Sequence, residues 1–329
     1  MSLLAPTLQS FFTDRLLRQR RASPRTIASY RDSIRLLLIF VQAKTGKEPS
    51  AVKWQDLDVP LITSFLDHLE TERHNGSRTR NARLAAVRSL FRYASFRHPE
   101  HAELIQRVLA IPQKRFEKKI VSFLTPPEVE ALLATPDATR WEGRRDRTLL
   151  LLAIQTGLRL SEIIGLRCRD VSLDAGAHVR CEGKGRKERC VPLTKSTVAV
   201  LRVWLRERQG GPDQPLFPTR TGRPLSDDAI ERRVAIHAAA AAQRAPSLRD
   251  KRLTPHVLRH TSAMDLLRAG VDTTVIALWL GHADSRSTQA YLHADLSIKE
   301  KALARTTPAS VQPGRFRASD PVLAFLEGL

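Results

Sequence analysis

The sequence predicts a mainly α-helical protein with a small antiparallel β-sheet, divided into two domains. The first observation is helical periodicity, because apolar residues recur every three or four positions from Pro6 to about Ile111, and helical patterns return after Thr194. The second is a set of three short strand-like runs between residues 170 and 193. The third is length, because 329 residues with a hydrophobic fraction of 42% can form two separate cores.

The N-terminal domain is predicted to be a bundle of helices over residues 1–111. Ser23 before Pro24 is typical of a helix start, because a short polar side chain caps the first turn and proline fits within it. A second helix is expected to begin at Asp58. A third is expected over residues 78–96, where the residues that form one apolar stripe are Leu84, Val87, Phe91 and Ala94.

The helix over residues 78–96 also carries a set of arginines that could contact DNA phosphates: Arg80, Arg83, Arg88 and Arg92. A solvated basic surface is the alternative, and the helix alone does not decide between the two. Residues 112–123 follow as a charged, aperiodic segment that begins with proline. We expect this segment to be a basic linker that crosses a DNA backbone rather than packing, with Lys114 and Arg115 among its contacts.

The charge of the whole chain favours a polyanionic partner. Lysine and arginine number 54 against 34 aspartate and glutamate residues, which gives a formal net charge of +20. A membrane surface is also anionic, but the apolar run at residues 36–41 is far too short to span a bilayer, and the N-terminus lacks a secretory pattern. Three cysteines are typical of a reducing compartment. We therefore expect a cytoplasmic protein that acts on nucleic acid and has no membrane partner.

The second domain begins with a capping pattern at Thr125 and continues with an apolar helix that ends at Gly157. Arg159 follows at the junction with the next helix, near Glu162. The strand-like runs come next, and the last two are joined by a glycine-flanked hairpin loop that carries Lys184, Arg186 and Lys187. Thr254 and Pro255 then start a helix with the motif His-x-x-Arg-His at residues 256–260.

These motifs, followed by Leu-Gly-His at residues 280–282 and by Tyr291, form an ordered set. The set resembles the catalytic domain of the tyrosine recombinase (phage integrase) family, and its Xer-like bacterial branch in particular. The resemblance runs from about Leu124 to about Ala304. It implies a helical core-binding, SAM-like domain at residues 1–111, a linker at 112–123, and a tyrosine recombinase catalytic domain at 124–329 that ends in an exchange tail.

The chemistry of phosphodiester cleavage explains why such a set is needed. A tyrosine nucleophile has a pKa of about 10, so only roughly 0.1% is phenolate at neutral pH. By resemblance, Tyr291 is the nucleophile, and Arg159 and Arg259 present bidentate forks to the non-bridging phosphate oxygens. Lys184 is the candidate general acid for the leaving 5′ oxygen, and Lys187 is a rival for that role.

The remaining roles also come from the resemblance. His256 is the expected base or phosphate hydrogen-bonder, His260 a supporting residue, His282 a second phosphate ligand, and Glu162 an orienting residue. The His-x-x-x-His spacing of His256 and His260 is also found at zinc sites. A zinc protease would need glutamate at position 257, which is valine, and no third ligand is obvious. We therefore expect no metal and no cofactor.

The resemblance implies a site-specific DNA recombinase that works through a 3′-phosphotyrosyl intermediate and a Holliday junction. It implies a double-stranded recombination site and self-association to a tetramer on DNA, at the bacterial nucleoid. It leaves open sister recombinases or an accessory DNA-bending protein, and it does not separate a mobile-element integrase or transposase from an Xer-type resolvase. A non-catalytic sequence-specific DNA-binding protein and a type IB topoisomerase are the alternatives.

Overall fold

The computed structural model describes residues 2–116, 121–183, 188–281 and 291. The chain divides into two compact units, residues 1–118 and 119–329, which are described separately below. This boundary lies inside the segment that the sequence analysis assigns to the linker. Across the described ranges, we find no helix with the length and apolar character that a bilayer crossing requires.

The described part of the first unit consists mainly of helices and the loops that connect them. Its helices are α1 (Leu4–Ser10), which continues as a π-helical segment (Phe11–Gln19), α2 (Pro24–Thr45), α3 (Val59–Thr71), α4 (Ser77–Ala94) and α5 (Ala102–Leu109). The predicted start signals are used, because Ser23 and Asp58 accept hydrogen bonds from the backbone of the first turns of α2 and α3. The predicted stripe of α4 is confirmed as core, since none of its four residues has measurable solvent exposure.

The start of the predicted linker packs against this unit, contrary to our expectation. Asn81 of α4 donates a hydrogen bond to the Lys114 carbonyl at 2.8 Å and accepts one from the Lys114 amide at 3.1 Å. The Lys114 Nζ also lies 2.5 Å from a carboxylate oxygen of Glu70. An extended segment has backbone groups that need partners, and a side-chain amide supplies both a donor and an acceptor.

The second unit is mostly helical and carries the predicted sheet. Its helices are α6 (Pro126–Leu133), α7 (Trp141–Thr156), α8 (Leu160–Gly165), α9 (Lys195–Arg208), α10 (Asp227–Ala241), α11 (Pro255–Arg268) and α12 (Thr273–Leu280). The strands are β1 (Val171–Ser172), β2 (His178–Glu182) and β3 (Glu188–Pro192), paired antiparallel in the order β1-β2-β3. The predicted fold class, mainly α with a small antiparallel sheet, is therefore confirmed.

The ends of α7 and α12 meet at one point in the second unit, and α11 packs against α7 beside it. Gly157 ends α7 in the left-handed conformation, with φ of +63°. The Trp279 indole of α12 donates a hydrogen bond to the Thr156 carbonyl at 3.0 Å. A Cβ at Gly157 would lie 2.6 Å from Leu280 Cδ2 and 3.0 Å from Ser262 Oγ. Glycine is therefore required here both for its φ and for the space it leaves.

We expect Gly157→Ala to lower the free energy of unfolding by about 2–5 kcal/mol. A left-handed residue with a Cβ costs about 1–2 kcal/mol, and overpacking adds about 1–3 kcal/mol. Denaturant unfolding followed by tryptophan fluorescence measures the change. The matched control is Gly222→Ala, because Gly222 has φ of +80° but no heavy atom within 4 Å of the added Cβ. Equal losses in the two variants would contradict the close packing of α7 on α12.

Candidate active site

Three arginines meet at the C-terminal end of α12, and each uses a different backbone carbonyl. Arg189 Nε donates to the Trp279 carbonyl at 2.9 Å. Arg259 Nη2 donates to the Leu280 carbonyl at 2.6 Å, and Arg159 Nη2 donates to the Gly281 carbonyl at 2.6 Å. The last carbonyls of a helix have no partner within the helix and carry partial negative charge. The end of α12 is therefore a binding site for cationic side chains.

The Glu162 carboxylate accepts hydrogen bonds from two of these arginines. Its Oε2 accepts from the Arg159 amide at 2.7 Å, which caps the start of α8, and its Oε1 accepts from Arg159 Nη1 at 2.8 Å. Arg189 donates to both carboxylate oxygens, at 2.9 and 2.8 Å. Burial alone would raise the pKa of Glu162, but the hydrogen bonds from Arg189 and Arg159 outweigh it and hold the pKa below its usual value.

Arg259 lies deeper than Arg159, with 3% of its surface exposed. Its Nη1 donates to the Gly157 carbonyl at 2.6 Å, so the left-handed end of α7 and the end of α12 hold one guanidinium between them. Burial, assisted by the charge of Arg159, lowers the pKa of Arg259 to about 10. The guanidinium is still protonated at neutral pH, so the site keeps this positive charge.

His256, His260 and Tyr291 form a row beside the arginines. His256 and His260 are one turn apart on α11, and their rings stack with centroids 5.9 Å apart. His260 Nδ1 lies 3.0 Å from the Tyr291 hydroxyl, with the two rings edge to face. Tyr291 is 2% exposed and packs with Met264, among other residues. The structure therefore brings together the tyrosine and both histidines of the predicted motif.

Burial and neighbouring charge set the protonation of this row. Desolvation, followed by the charges of His256 and Arg259, lowers the pKa of His260 to about 4. The pKa of His256 is lowered by desolvation and by Arg259 and Arg159. Both rings are therefore neutral at neutral pH. Burial raises the pKa of Tyr291, while Arg259 and Arg159 act in the opposite direction.

Four predicted site residues lie outside the described residues: Lys184, Arg186, Lys187 and His282. The others that the sequence analysis assigned to catalysis or support are assembled within the second unit: Arg159, Glu162, His256, Arg259, His260 and Tyr291. Among the described residues, no group of three or more His, Cys, Asp or Glu side chains could hold a metal ion.

Arg189 is a member of the site that the sequence analysis missed. It lies on the same face of β3 as the buried Val191 and is in register with the buried Cys181 of β2. The strand period of two would have placed this arginine on the inner face, where a cation needs a carboxylate. That alternation is a signal in the sequence, although it does not identify Glu162 as the partner.

The arginines of α4 differ in their surroundings. Arg80 is 4% exposed and lies 3.4 Å from a carboxylate oxygen of Glu70, which belongs to α3. Its predicted contact with a DNA phosphate stays a prediction. Arg83 donates to Ser33 Oγ at 3.1 Å, and Arg88 donates to the Ile111 carbonyl. Arg92 is exposed on α4. Lys114 and Arg115, which follow α5 in the chain, are also exposed.

Comparison with known proteins matches both units to known families. The phage integrase family matches residues 122–297, and the phage integrase N-terminal SAM-like domain matches residues 10–98. A putative integrase/recombinase, y4rC of Sinorhizobium fredii, is 55% identical and covers 99% of this chain and 98% of its own length. The tyrosine recombinase XerC of Pelobacter propionicus is 34% identical over 90% of this chain and 93% of its own.

A solved structure shows the same fold at lower identity. The XerH site-specific recombinase, bound to its palindromic difH substrate in a post-cleavage complex, aligns with a TM-score of 0.70 and 23% sequence identity. The alignment covers 87% of this chain and 81% of the XerH chain.

We expect Glu162→Gln to lower the free energy of unfolding by about 3 kcal/mol at neutral pH, because it leaves the largely buried Arg189 without a carboxylate. The folded pKa of Glu162 is depressed, so its contribution is complete above the unfolded pKa of about 4.3 and is lost as pH falls through the folded value. The difference in free energy of unfolding between wild type and variant should therefore become smaller in acid. Denaturant unfolding from pH 7 to pH 3 measures it, with Glu231→Gln on the exposed surface of α10 as control. A gap that is constant with pH would contradict the charged pairing.

Proposed function

Because the chain belongs to the phage integrase family and is a site-specific tyrosine recombinase, we propose that Tyr291 is its nucleophile. The proposal rests on the position of the buried Tyr291 side chain. Its hydroxyl contacts His260, and the charges of Arg259 and Arg159 act to lower its pKa. A lone buried tyrosine is ordinarily a packing residue. A tyrosine beside two neutral histidines and a cluster of guanidinium groups has the surroundings that a phosphoryl-transfer nucleophile needs.

The charge of the site suits the transition state of phosphodiester cleavage. Arg159, Arg189 and Arg259 contribute three positive charges and Glu162 contributes one negative charge, which leaves a net charge of two among these described groups. A phosphodiester carries one negative charge, and the phosphorane-like transition state carries two. Preorganised cations are therefore most favourable when the extra charge develops, and loss of one such stabiliser typically costs about 3 kcal/mol in the barrier.

The proton of Tyr291 has a nearby acceptor. His260 is neutral, and its Nδ1 can accept a hydrogen bond from the phenol in the tautomer that leaves this nitrogen unprotonated. His256, which is exposed and neutral, is the proposed base or phosphate hydrogen-bonder, and His260 positions the phenol. Arg259 and Arg159 stabilise the phenolate that forms.

The proposed reaction then follows the family pattern. Tyr291 gives its proton to the neutral histidine pair, its Oη forms a bond to the scissile phosphorus, and the bond to the 5′ oxygen breaks. Lys184, or its rival Lys187, gives that oxygen a proton. His282 contacts the same phosphate. The free 5′ hydroxyl attacks the phosphotyrosyl link of the partner strand, first forming and then resolving a Holliday junction. The phosphotyrosine retains the energy of the broken bond, so the reaction needs neither ATP nor a metal ion.

The proposed partners are a double-stranded recombination site and three further copies of the chain, which together form a tetramer on DNA. XerH is a relative in fold that has been solved on its substrate DNA. Of the predicted DNA-binding residues, Arg92 and Arg115 are exposed, and we propose that they contact phosphates. The proposal also leaves room for a sister recombinase or a DNA-bending protein as a partner. The reaction would take place in the bacterial cytoplasm, at the nucleoid.

Of the two biological roles that remain, the integrase or transposase of a mobile element is the one we favour. The relative that is 55% identical over nearly the whole chain is named as a putative integrase/recombinase, whereas the Xer protein compared above is 34% identical. The position of the cleaved DNA distinguishes the roles, because a mobile element is cut at its ends and a resolvase acts at one chromosomal site.

We expect covalent protein–DNA adducts from cells that express the wild-type chain, and none from Tyr291→Phe, because removal of the hydroxyl removes the attacking oxygen. Denaturing capture of the protein followed by sequencing of attached DNA measures this and locates the site. Tyr30→Phe is the matched control, since Tyr30 lies on α2 in the first unit, where its ring stacks on Phe11.

The outcomes separate the alternatives. Adducts that persist in Tyr291→Phe would reject this nucleophile. DNA binding without adducts in the wild type would favour a non-catalytic DNA-binding protein, and Tyr291-dependent adducts scattered without a discrete site would favour relaxation by a topoisomerase-like reaction.

Arg92 and Arg80 should separate DNA binding from stability. We expect Arg92→Ala to weaken binding to a 30-base-pair duplex and to reduce the slope of log affinity against log salt by about 1, because one phosphate contact is lost. Arg80→Ala should instead lower the free energy of unfolding, because Arg80 is buried against Glu70. Salt titration by fluorescence anisotropy and denaturant unfolding measure the two effects. A reduced salt slope in Arg80→Ala, at unchanged stability, would contradict this division.

A further inference from the structure

Among the described arginines of the site, Arg189 is the one whose guanidinium makes a bidentate contact with a carboxylate. Its Nε donates to the Trp279 carbonyl, and its Nη1 and Nη2 donate to the two oxygens of Glu162. A guanidinium whose fork is already bidentate on a buried carboxylate does not present that fork to a phosphate. Arg189 is therefore not a catalytic residue.

We propose that Arg189 is a positioning residue that orients Arg159 through Glu162. The two arginines share both carboxylate oxygens: Oε1 accepts from an Nη1 of each, and Oε2 accepts from the Arg159 amide and from Arg189 Nη2. The bidentate contact from Arg189 fixes the plane of the carboxylate, and the carboxylate fixes the guanidinium of Arg159. This inference rests on the proposed function, in which Arg159 stabilises the transition state.

The charges support the same role. Glu162 is a buried carboxylate and would, without Arg189, be neutralised by Arg159 alone. The described site would then keep +2 − 1, or one positive charge, in place of two. Arg159 would also be free to turn fully onto Glu162 and to leave the Gly281 carbonyl, where it now donates at 2.6 Å. Arg189 thus supplies the counter-charge that leaves the charge of Arg159 available to a phosphate.

The packing around Arg189 requires a planar guanidinium group next to Gly281. A Cβ on Gly281 would lie 2.9 Å from Arg189 Nη1 and 3.1 Å from its Cζ, so the guanidinium is seated against the residue whose carbonyl holds Arg159. Lysine at position 189 would keep the charge but could not donate to both carboxylate oxygens and to the Trp279 carbonyl in this plane. Substitution of Arg189 by lysine therefore distinguishes a role that needs only the positive charge from a role that needs the orientation of the guanidinium group.

The test uses the full chain and a duplex that carries the site recovered from Tyr291-dependent adducts. Single-turnover cleavage should be slower by about 100-fold in both Arg189→Met and Arg189→Lys, since a displacement of about 1 Å can cost this much, while affinity for the duplex stays within about twofold. In the double variant with Arg159→Ala, Arg189→Met should cause no further loss, because residues that act as one unit are not additive. If Arg189 contributed only to stability, the losses in cleavage rate caused by the two substitutions would instead multiply.

Arg180→Met is the matched control, because Arg180 lies one strand away on β2 and is exposed on the opposite face of the sheet. Thermal unfolding of each variant identifies loss of fold, and if Arg189→Met does not fold, the Arg189→Lys variant carries the same cycle with Arg159→Ala. Full cleavage by Arg189→Lys, or multiplicative losses in the double variant, would overturn the positioning role. A wild-type chain that forms no adduct would instead reject the proposed function itself.

Discussion

The end of α12 is the constraint on which the site depends. Three consecutive carbonyls, from Trp279 to Gly281, need partners because the helix stops there, and three arginines from different parts of the chain provide them. The left-handed glycines that end α7 and α12 make this convergence possible, since they turn the chain sharply and leave space for Leu280 and for the Arg189 guanidinium. The same contacts therefore close the fold of the second unit and gather its positive charge.

This arrangement separates the source of charge from the groups that exchange protons. The guanidinium groups keep their charge across the ordinary pH range, whereas burial and the adjacent arginines hold the two histidines neutral. A neutral imidazole can accept a proton, and a protonated one cannot. In the proposed reaction, the arginines would attract the phosphate, and the same positive charge lowers the pKa of His256 and His260, which keeps them in the neutral form that accepts a proton.

The sequence was most informative where a residue's partners are its neighbours in the chain. Ser23 and Gly157 mark helix ends through contacts within a few residues, and the ordered motif located the described catalytic candidates. Arg189 was missed, and the burial of Arg80 was not predicted, because other segments of the chain set their environments. Arg189 contacts a carboxylate 27 residues away and a carbonyl 90 residues away, while the burial of Arg80 depends on Glu70 of another helix. Strand alternation places Arg189 on the inner face, but local periodicity identifies neither its partners nor those of Arg80.

The identity of the arginines' acceptors has a consequence for how this protein can vary. Carbonyl oxygens belong to the backbone, so they persist whatever side chain is present at positions 279 and 280. Substitutions of those side chains can change the packing, but the carbonyl acceptors stay in place. The guanidinium groups have no such redundancy, because each is supplied by one codon. The site is therefore robust to change on its accepting side and fragile on its donating side.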